Sequence, residues 1–186
     1  MTIKSLTKLC VMMLCTYLFF LFIIKDMITD RQNHKKAFVD PNFHHMTVDA
    51  RDSVDCLAQN MYFEARSEPT LGQIAVAMVT INRVKSEDFP DNICDVVEQR
   101  VKRVCQFSWY CQKKPKYIYT KKLLTTDNNS LYNDIHRLAL LVYANYDRLK
   151  DPTHGSTFYH ADYVSPNWPN VKKVATIGRH IFYIQI

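Results

Sequence analysis

A run of ten residues, Asn60 to Pro69 (NMYFEARSEP), holds two carboxylates four positions apart, Glu64 and Glu68, with Arg66 between them. Four positions is about one helical turn, so on a helix both acids share a face. Glu64 is flanked by Phe63 and Ala65 and follows Tyr62. Packed against a core, a carboxyl in that setting loses water, and lost hydration raises its pKa toward the range a general acid needs near neutral pH. The same spacing also describes an ordinary solvated pair at a helix end, since charged helix faces are common. A second group lies far along the chain in THGSTFYHADYVSPNWP, with His154, Tyr159, His160, Tyr163 and Trp168. Aromatic rings alternating with polar groups suit a saccharide cleft, where rings stack on sugars and polar groups fix orientation. Core aromatics beside a turn would have the same composition. Neither GxSxG nor HExxH occurs, which removes the usual signatures of two common hydrolase chemistries.

These residues must be positioned by the elements around them. From Asp49 to Ala65 the apolar positions Val54, Leu57, Ala58, Met61, Tyr62 and Ala65 step by three and four, which predicts a helix carrying Glu64 near its end. Pro69 stops it, because the residue before a proline is pushed out of helical geometry. A second helix follows at once, with Thr70 and Gln73 read as a capping box and Ile74, Ala77, Met78 and Ile81 as an apolar stripe up to Arg83. Its small residues Ala75 and Ala77 allow a neighbouring helix to approach closely. A turn through SEDFPDN leads to a short third helix, ICDVVEQR, opened by Pro90 and Asp91. Residues 98–122 have eight bases, one acid and no clean period, and are expected to form an irregular or partly extended lobe. The clearest helix is SLYNDIHRLALLVYANYDRL, with Leu131, Ile135, Leu138, Leu141, Val142 and Tyr146 on its stripe. STFYHADYV and HIFYIQI then suit strands. The expected class is α+β, mostly helical, without repeats.

The N-terminus has a different character. Leu9 to Ile24 contains sixteen residues without a charge, preceded by Lys4 and Lys8 and closed by Lys25 and Asp26. It lacks the polar face of a helix in a small core. It is short for a span, which wants about 20 apolar residues, unless residues 3–7 enter the bilayer with Lys4 snorkelling. A cleaved leader competes with this reading, but no small-x-small site follows Ile24. Residues 1–25 are therefore read as an uncleaved anchor whose basic side stays in the cytoplasm. Residues 26–48 become a polar stalk, and 49–186 an exported domain facing the periplasmic side of the inner membrane. The anchor carries half of the chain's net charge of +6, which weakens the case for a nucleic-acid partner; an anionic wall polymer fits the remaining basic tract better. Export also changes how Cys56, Cys94, Cys105 and Cys111 are read. Disulfides are expected over a zinc site, since CxxC pairs are absent; Cys105 with Cys111 would close a small loop, though four cysteines allow three connectivities.

Taken together, AQNMYFEARSEPTLGQIAVAMVTINRVKSEDFP, CQFSWYC, GSTFYHADYVSPNWP and IGRHIFY resemble, in order, the SleB-type cell wall hydrolase family, which includes spore cortex-lytic enzymes. The resemblance covers about residues 52–184. It implies a compact, lysozyme-like or lytic transglycosylase-like fold acting on peptidoglycan glycan strands, with the family's catalytic glutamate falling on Glu64. It further suggests substrate-binding roles for Glu68, Gln73, Asn82, Phe107, Trp109, His160 and Tyr163. No cofactor or metal is implied. The chain departs from the family's GEARGEP at two glycines, replaced by Phe63 and Ser67, and Phe63 adds bulk beside the acid.

The resemblance implies cleavage between N-acetylmuramic acid and N-acetylglucosamine with one glutamate as acid and then base. A second acid at roughly 5 to 9 Å across the sugar would instead favour a lysozyme-type reaction. Two further readings compete: a zinc amidase using His154, His160 and His180, and a tethered wall-binding domain without turnover. Oligomeric state is open.

Overall fold

A computed structural model of the chain describes residues 17, 18, 20, 21, 25, 41–112 and 130–186. The chain divides into two units, Met1–Phe38 and Val39–Ile186. In the first, Tyr17, Leu18, Phe20 and Leu21 are helical and their apolar side chains are exposed. The rest of the expected anchor except Lys25, and the expected stalk up to residue 40, lie outside the described residues. Among the described residues no helix is long and apolar enough to cross a membrane.

The second unit begins its ordered packing ahead of the expected boundary at Asp49. Asn42 caps a single 3-10 turn, Phe43–His45, and the Phe43 ring meets His136 edge-on at 5.0 Å. Helix α1, Val48–Ala65, starts on Thr47, whose hydroxyl accepts from the Ala50 N–H. Helix α2, Thr70–Val84, differs from the expected capping box: Pro69 is the N-cap residue, Thr70 is already helical, and Gln73 donates to the Glu68 carbonyl instead. Pro69 favours this start because its fixed φ suits helix entry and it has no N–H to leave unpaired. Helix α3, Ile93–Glu98, is capped by the Asn92 side chain on the Asp95 N–H, two residues beyond the expected opening at Pro90.

The basic lobe resolves into a hairpin and a short helix. Strands β1, Arg100–Val101, and β2, Val104–Cys105, pair across a two-residue turn and lead into α4, Ser108–Cys111; residues 113–122 of the expected lobe lie outside the described residues. Helix α5, Ser130–Asn145, buries Tyr132, Ile135, Ala139 and Val142. Its stripe is turned slightly from the expected one, leaving Leu131 exposed, because Tyr132 brings a larger ring to α1 and meets Tyr62 at 5.5 Å.

Three antiparallel strands close the domain: β3, Phe158–Ala161; β4, Val171–Ile177; and β5, His180–Gln185, in the order β3-β5-β4. Strand β4 was not foreseen in VKKVATI, and a register shift between Lys173 and Ala175 explains why. The bulge breaks the inside-outside alternation by which a strand is recognised. Helix therefore makes up about half of the described residues rather than most of them.

Helix α2 lies between two apolar groups. Ala77, Met78 and Ile81 join Leu57, Met61, Val96, Tyr132, Ile135 and Val142 in the helical core, while Ala75 and Val79 meet Phe182 of the sheet. Ala75 and Ala77 thus permit close approach on two sides, one of them a sheet rather than the expected helix. Complete burial of Phe182 contributes about 1.5–3 kcal/mol to docking the sheet.

Disulfides Cys56–Cys94 and Cys105–Cys111 form. The first ties α1 to α3 across a sequence separation of 38, a loop whose closure entropy corresponds to about 4 kcal/mol in the unfolded chain. Replacing Cys56 and Cys94 together by alanine is expected to cost about 2–4 kcal/mol, read as a lower Tm in thermal melts. An unchanged Tm would mean the bridge adds nothing.

Candidate active site

Glu64 sits in the last turn of α1, where the apolar side of the helix turns toward the sheet. The Tyr159 hydroxyl, from β3, donates to Glu64 Oε2 at 3.1 Å. Burial raises the Glu64 carboxyl above its ordinary value, while the Tyr159 hydrogen bond and the positive charge of Arg83 act in the opposite direction. Burial also pushes the Tyr159 phenol well up, reinforced by the neighbouring Glu64 charge, so Tyr159 is a hydrogen-bond donor at any physiological pH.

Arg83 completes the group from the last turn of α2. Its Nε donates to the Thr157 carbonyl at 2.8 Å, and its guanidinium lies 5.2 Å from the centre of the Phe89 ring and 5.1 Å from that of Phe107. Two aromatic faces replace part of the water this cation loses on burial. Burial pulls its pKa down from the ordinary arginine value, with Tyr159 and Glu64 opposing the change. Its Nη1 is buried with no hydrogen-bond partner among the described residues. Sequence reasoning treated Arg83 only as the end of an apolar stripe. A cation at a helix C-terminus is ordinary, and its burial depends on two rings and a carbonyl contributed by other segments.

An aromatic wall stands beside the acid. Phe63 stacks on Trp109 of α4, with ring centroids 4.6 Å apart and planes 20° from parallel. The Trp109 indole donates to Asn60 Oδ1 at 3.0 Å, Asn60 donates to Thr80 Oγ1 at 3.1 Å, and the Thr80 hydroxyl donates to the Val76 carbonyl. This relay fixes Trp109 against both α1 and α2. The bulk of Phe63 therefore lies against Trp109.

Other expected site residues are engaged in the fold. Glu68 is buried and accepts the Arg179 N–H at 2.9 Å in the β4–β5 turn. Asn82 donates to Asp151, Thr153 and the Ser156 carbonyl, holding the loop that precedes β3. Burial acts to raise the Asp151 carboxyl, but hydrogen bonds from the Thr153 and Asn82 side chains and from the Thr153 and Gly155 N–H groups outweigh it and leave it below its ordinary value. Phe107 is buried beneath Arg83, and Gln73 braces the Glu68 carbonyl. His160 uses both ring nitrogens, toward the Ala161 carbonyl and the Tyr183 hydroxyl. Tyr163 is exposed, its ring 5.5 Å from the Arg179 guanidinium carbon. Among the described residues no three His, Cys, Asp or Glu side chains gather as a metal site, so the described parts of His154, His160 and His180 supply no set for the amidase reading.

The fold is that of a known catalytic domain. Over 77% of this chain and 98% of that one it is similar, at a TM-score of 0.51 and 25% identity, to the crystal structure of the catalytic domain of the Bacillus cereus SleB protein. A spore cortex-lytic enzyme of Halalkalibacterium halodurans is 32% identical over 136 residues, covering 70% of this chain and 34% of that protein. One from Bacillus cereus is 28% identical over 138 residues, covering 72% and 44%. The chain thus spans less than half the length of these relatives. A model of the Cell Wall Hydrolase family matches residues 67–183, and the chain belongs to that family. The family match begins at residue 67, after Glu64.

Because the folded state raises the Glu64 pKa, it favours the neutral carboxyl. The stabilisation this gives is present below the unfolded value, about 4.3, and is lost as pH rises through the folded value. Glu64→Gln, which stays neutral, is expected to melt above wild type at neutral pH, with the gap shrinking on acidification. Parallel melts from pH 4 to 8 check this; a constant gap would show that the carboxyl is not held neutral.

Proposed function

We propose that the domain cleaves the glycan strand of peptidoglycan between N-acetylmuramic acid and N-acetylglucosamine as a lytic transglycosylase, with Glu64 as its one acid-base group. The observation that carries this reading is a desolvated carboxyl, raised above its ordinary value and hydrogen-bonded by Tyr159, on the residue that follows Phe63 of the Phe63–Trp109 stack. Family membership and the SleB-like fold support it.

Protonated Glu64 gives its proton to the glycosidic oxygen as the bond to the muramyl C1 breaks. The resulting carboxylate takes the proton of the C6 hydroxyl as that oxygen bonds to C1. Glu64 is thereby reprotonated, and the product ends in a 1,6-anhydro ring. A retaining hydrolase would need a second carboxylate across the sugar. Glu68, the nearest acid along the chain, is already committed to the Arg179 N–H, which favours the single-carboxylate route. Glu64→Gln is expected to lower turnover of purified sacculi at least a hundredfold, with anhydro ends as the wild-type product by mass analysis. Reducing ends in the wild-type digest would indicate the lysozyme-type reaction, and free stem peptides an amidase. Binding to sacculi with no released muropeptide would indicate a non-catalytic wall-binding domain.

The same reading places the domain outside the cytoplasmic membrane, tethered by residues 1–25 through the segment that follows. The uncharged run from Leu9 to Ile24 supports this, together with the exposed apolar side chains on its described helical residues and the two disulfides of the domain. Deleting residues 1–38 is expected to move the protein from the membrane pellet to the soluble fraction. A full-length chain that is soluble after export would mean the segment is cleaved.

A further inference from the structure

The β1–β2 hairpin contains a conflict between conformation and residue type. Its register pairs Arg100 with Cys105 and Val101 with Val104, leaving Lys102 and Arg103 as the entire turn. Both turn residues have positive φ, 49° and 71°. A two-residue turn of this kind is normally made by Asn-Gly or a similar pair, because side chains with a Cβ are disfavoured in the left-handed region by about 1–2 kcal/mol each. Here that conformation holds two long cations instead. Backbone strain of this sort points to a use for the side chains, since folding alone would select against them.

The surroundings suggest what the use is. Arg100, Val101, Lys102, Arg103 and Val104 are all exposed, and among the described residues none of the three cations has an ion-pair partner. The Arg100 guanidinium carbon lies 5.6 Å from the centre of the Tyr110 ring, which directs the charge along the same edge as α4. The hairpin is also held to that helix covalently, since Cys105 of β2 is bonded to Cys111 at the end of α4. Between these residues is Trp109, stacked on Phe63 next to Glu64. A rigid cationic tip therefore extends from the element that forms one wall of the candidate active site. At about 3.3 Å per residue, the two-residue strands put the tip roughly 7–10 Å beyond its disulfide, on the scale of one or two sugars.

We propose that the β1–β2 hairpin is a substrate-docking element that binds the free carboxylates of the peptide stems branching from the glycan. This rests on the peptidoglycan reading above and adds that the anionic peptide, as well as the sugar, is recognised. An anionic membrane surface is the rival partner for such a tip. The covalent tie of the hairpin to α4, whose Trp109 stacks on the residue preceding Glu64, favours the substrate.

The test replaces Lys102 by Asn and Arg103 by Gly, the pair that suits the turn, so that weaker binding cannot be blamed on a damaged fold. The full-length chain carrying Glu64→Gln is used, so that binding to sacculi is measured without digestion. The doubly substituted turn is expected to keep or raise the Tm while sacculus affinity falls about three- to tenfold at low salt, with the difference vanishing at high salt. Amidating the sacculus carboxylates should weaken binding of the parent and remove its advantage over the turn variant. Unchanged sacculus affinity overturns the proposal, as does a loss confined to vesicles of anionic phospholipid. Release of muropeptides by the Glu64→Gln protein would overturn the assignment of Glu64 and leave the binding comparison readable on its own terms.

Discussion

Glu64 is half-buried where β3 of the sheet meets the end of α1, and the sheet is pinned there by the Glu68 carboxylate on the Arg179 N–H. The contact depends on two residues with no side chain. A Cβ at Gly178 would fall 1.8 Å from Glu68 Oε2, and one at Gly72 would fall 2.9 Å from the Glu68 Cβ. Gly178 also has a φ of +56°, which lets the β4–β5 turn present its next N–H to the carboxylate. A hydrogen bond to a charged group contributes about 1.5–3 kcal/mol, comparable with the burial of Phe182 at the other end of the same interface. Two anchors of similar strength therefore fix β5. Strand β3, paired to β5 from Phe158 to Ala161, then delivers Tyr159 to Glu64.

Glu64, Tyr159 and Arg83 have a consistent electrostatic logic. Burial alone shifts a carboxyl toward its neutral form, and a close ion pair shifts it toward the ionised one. Burial by the sheet raises Glu64, while Tyr159 and Arg83 hold the rise in check. Arg83 moderates the acid without a direct salt bridge: its hydrogen bond runs to the Thr157 carbonyl and its faces meet Phe89 and Phe107. Such a cation favours the ionised form of Glu64 through its charge alone.

The parts of this arrangement legible in the sequence are those carried by local pattern. The helices appear in the spacing of Leu57, Met61, Ile81 and Ile135, and Glu64 stands out because it is an acid within an apolar run. The resemblance added an order of motifs that composition could not supply. What was not legible depends on tertiary partners. Strand β4 is hidden by its bulge and paired lysines, and Thr70 resembles a cap until Pro69 takes that position. Arg83 and the Asn60–Thr80 relay carry no local mark, since their burial is created by segments 20 to 70 residues away. For the same reason Asn82 and Phe107 fall within family motifs yet are engaged here in holding the loop before β3 and supporting Arg83.

Glu64 and Glu68 show how strongly environment decides the role of one residue type. They lie one helical turn apart, and on spacing alone either could be the acid. Pro69 separates them, because Glu68 before it lies outside the helix with its carboxyl in the glycine notch, where it accepts the Arg179 N–H. Glu64 remains within the helix and meets a phenol rather than an N–H, in a pocket that burial makes unfavourable for charge. Glu68 accepts a backbone N–H of the β4–β5 turn, whereas Glu64 accepts the Tyr159 hydroxyl and is raised by burial above its ordinary value. Pro69, Gly72 and Gly178 carry no reactive group, yet they set the two glutamates in different surroundings.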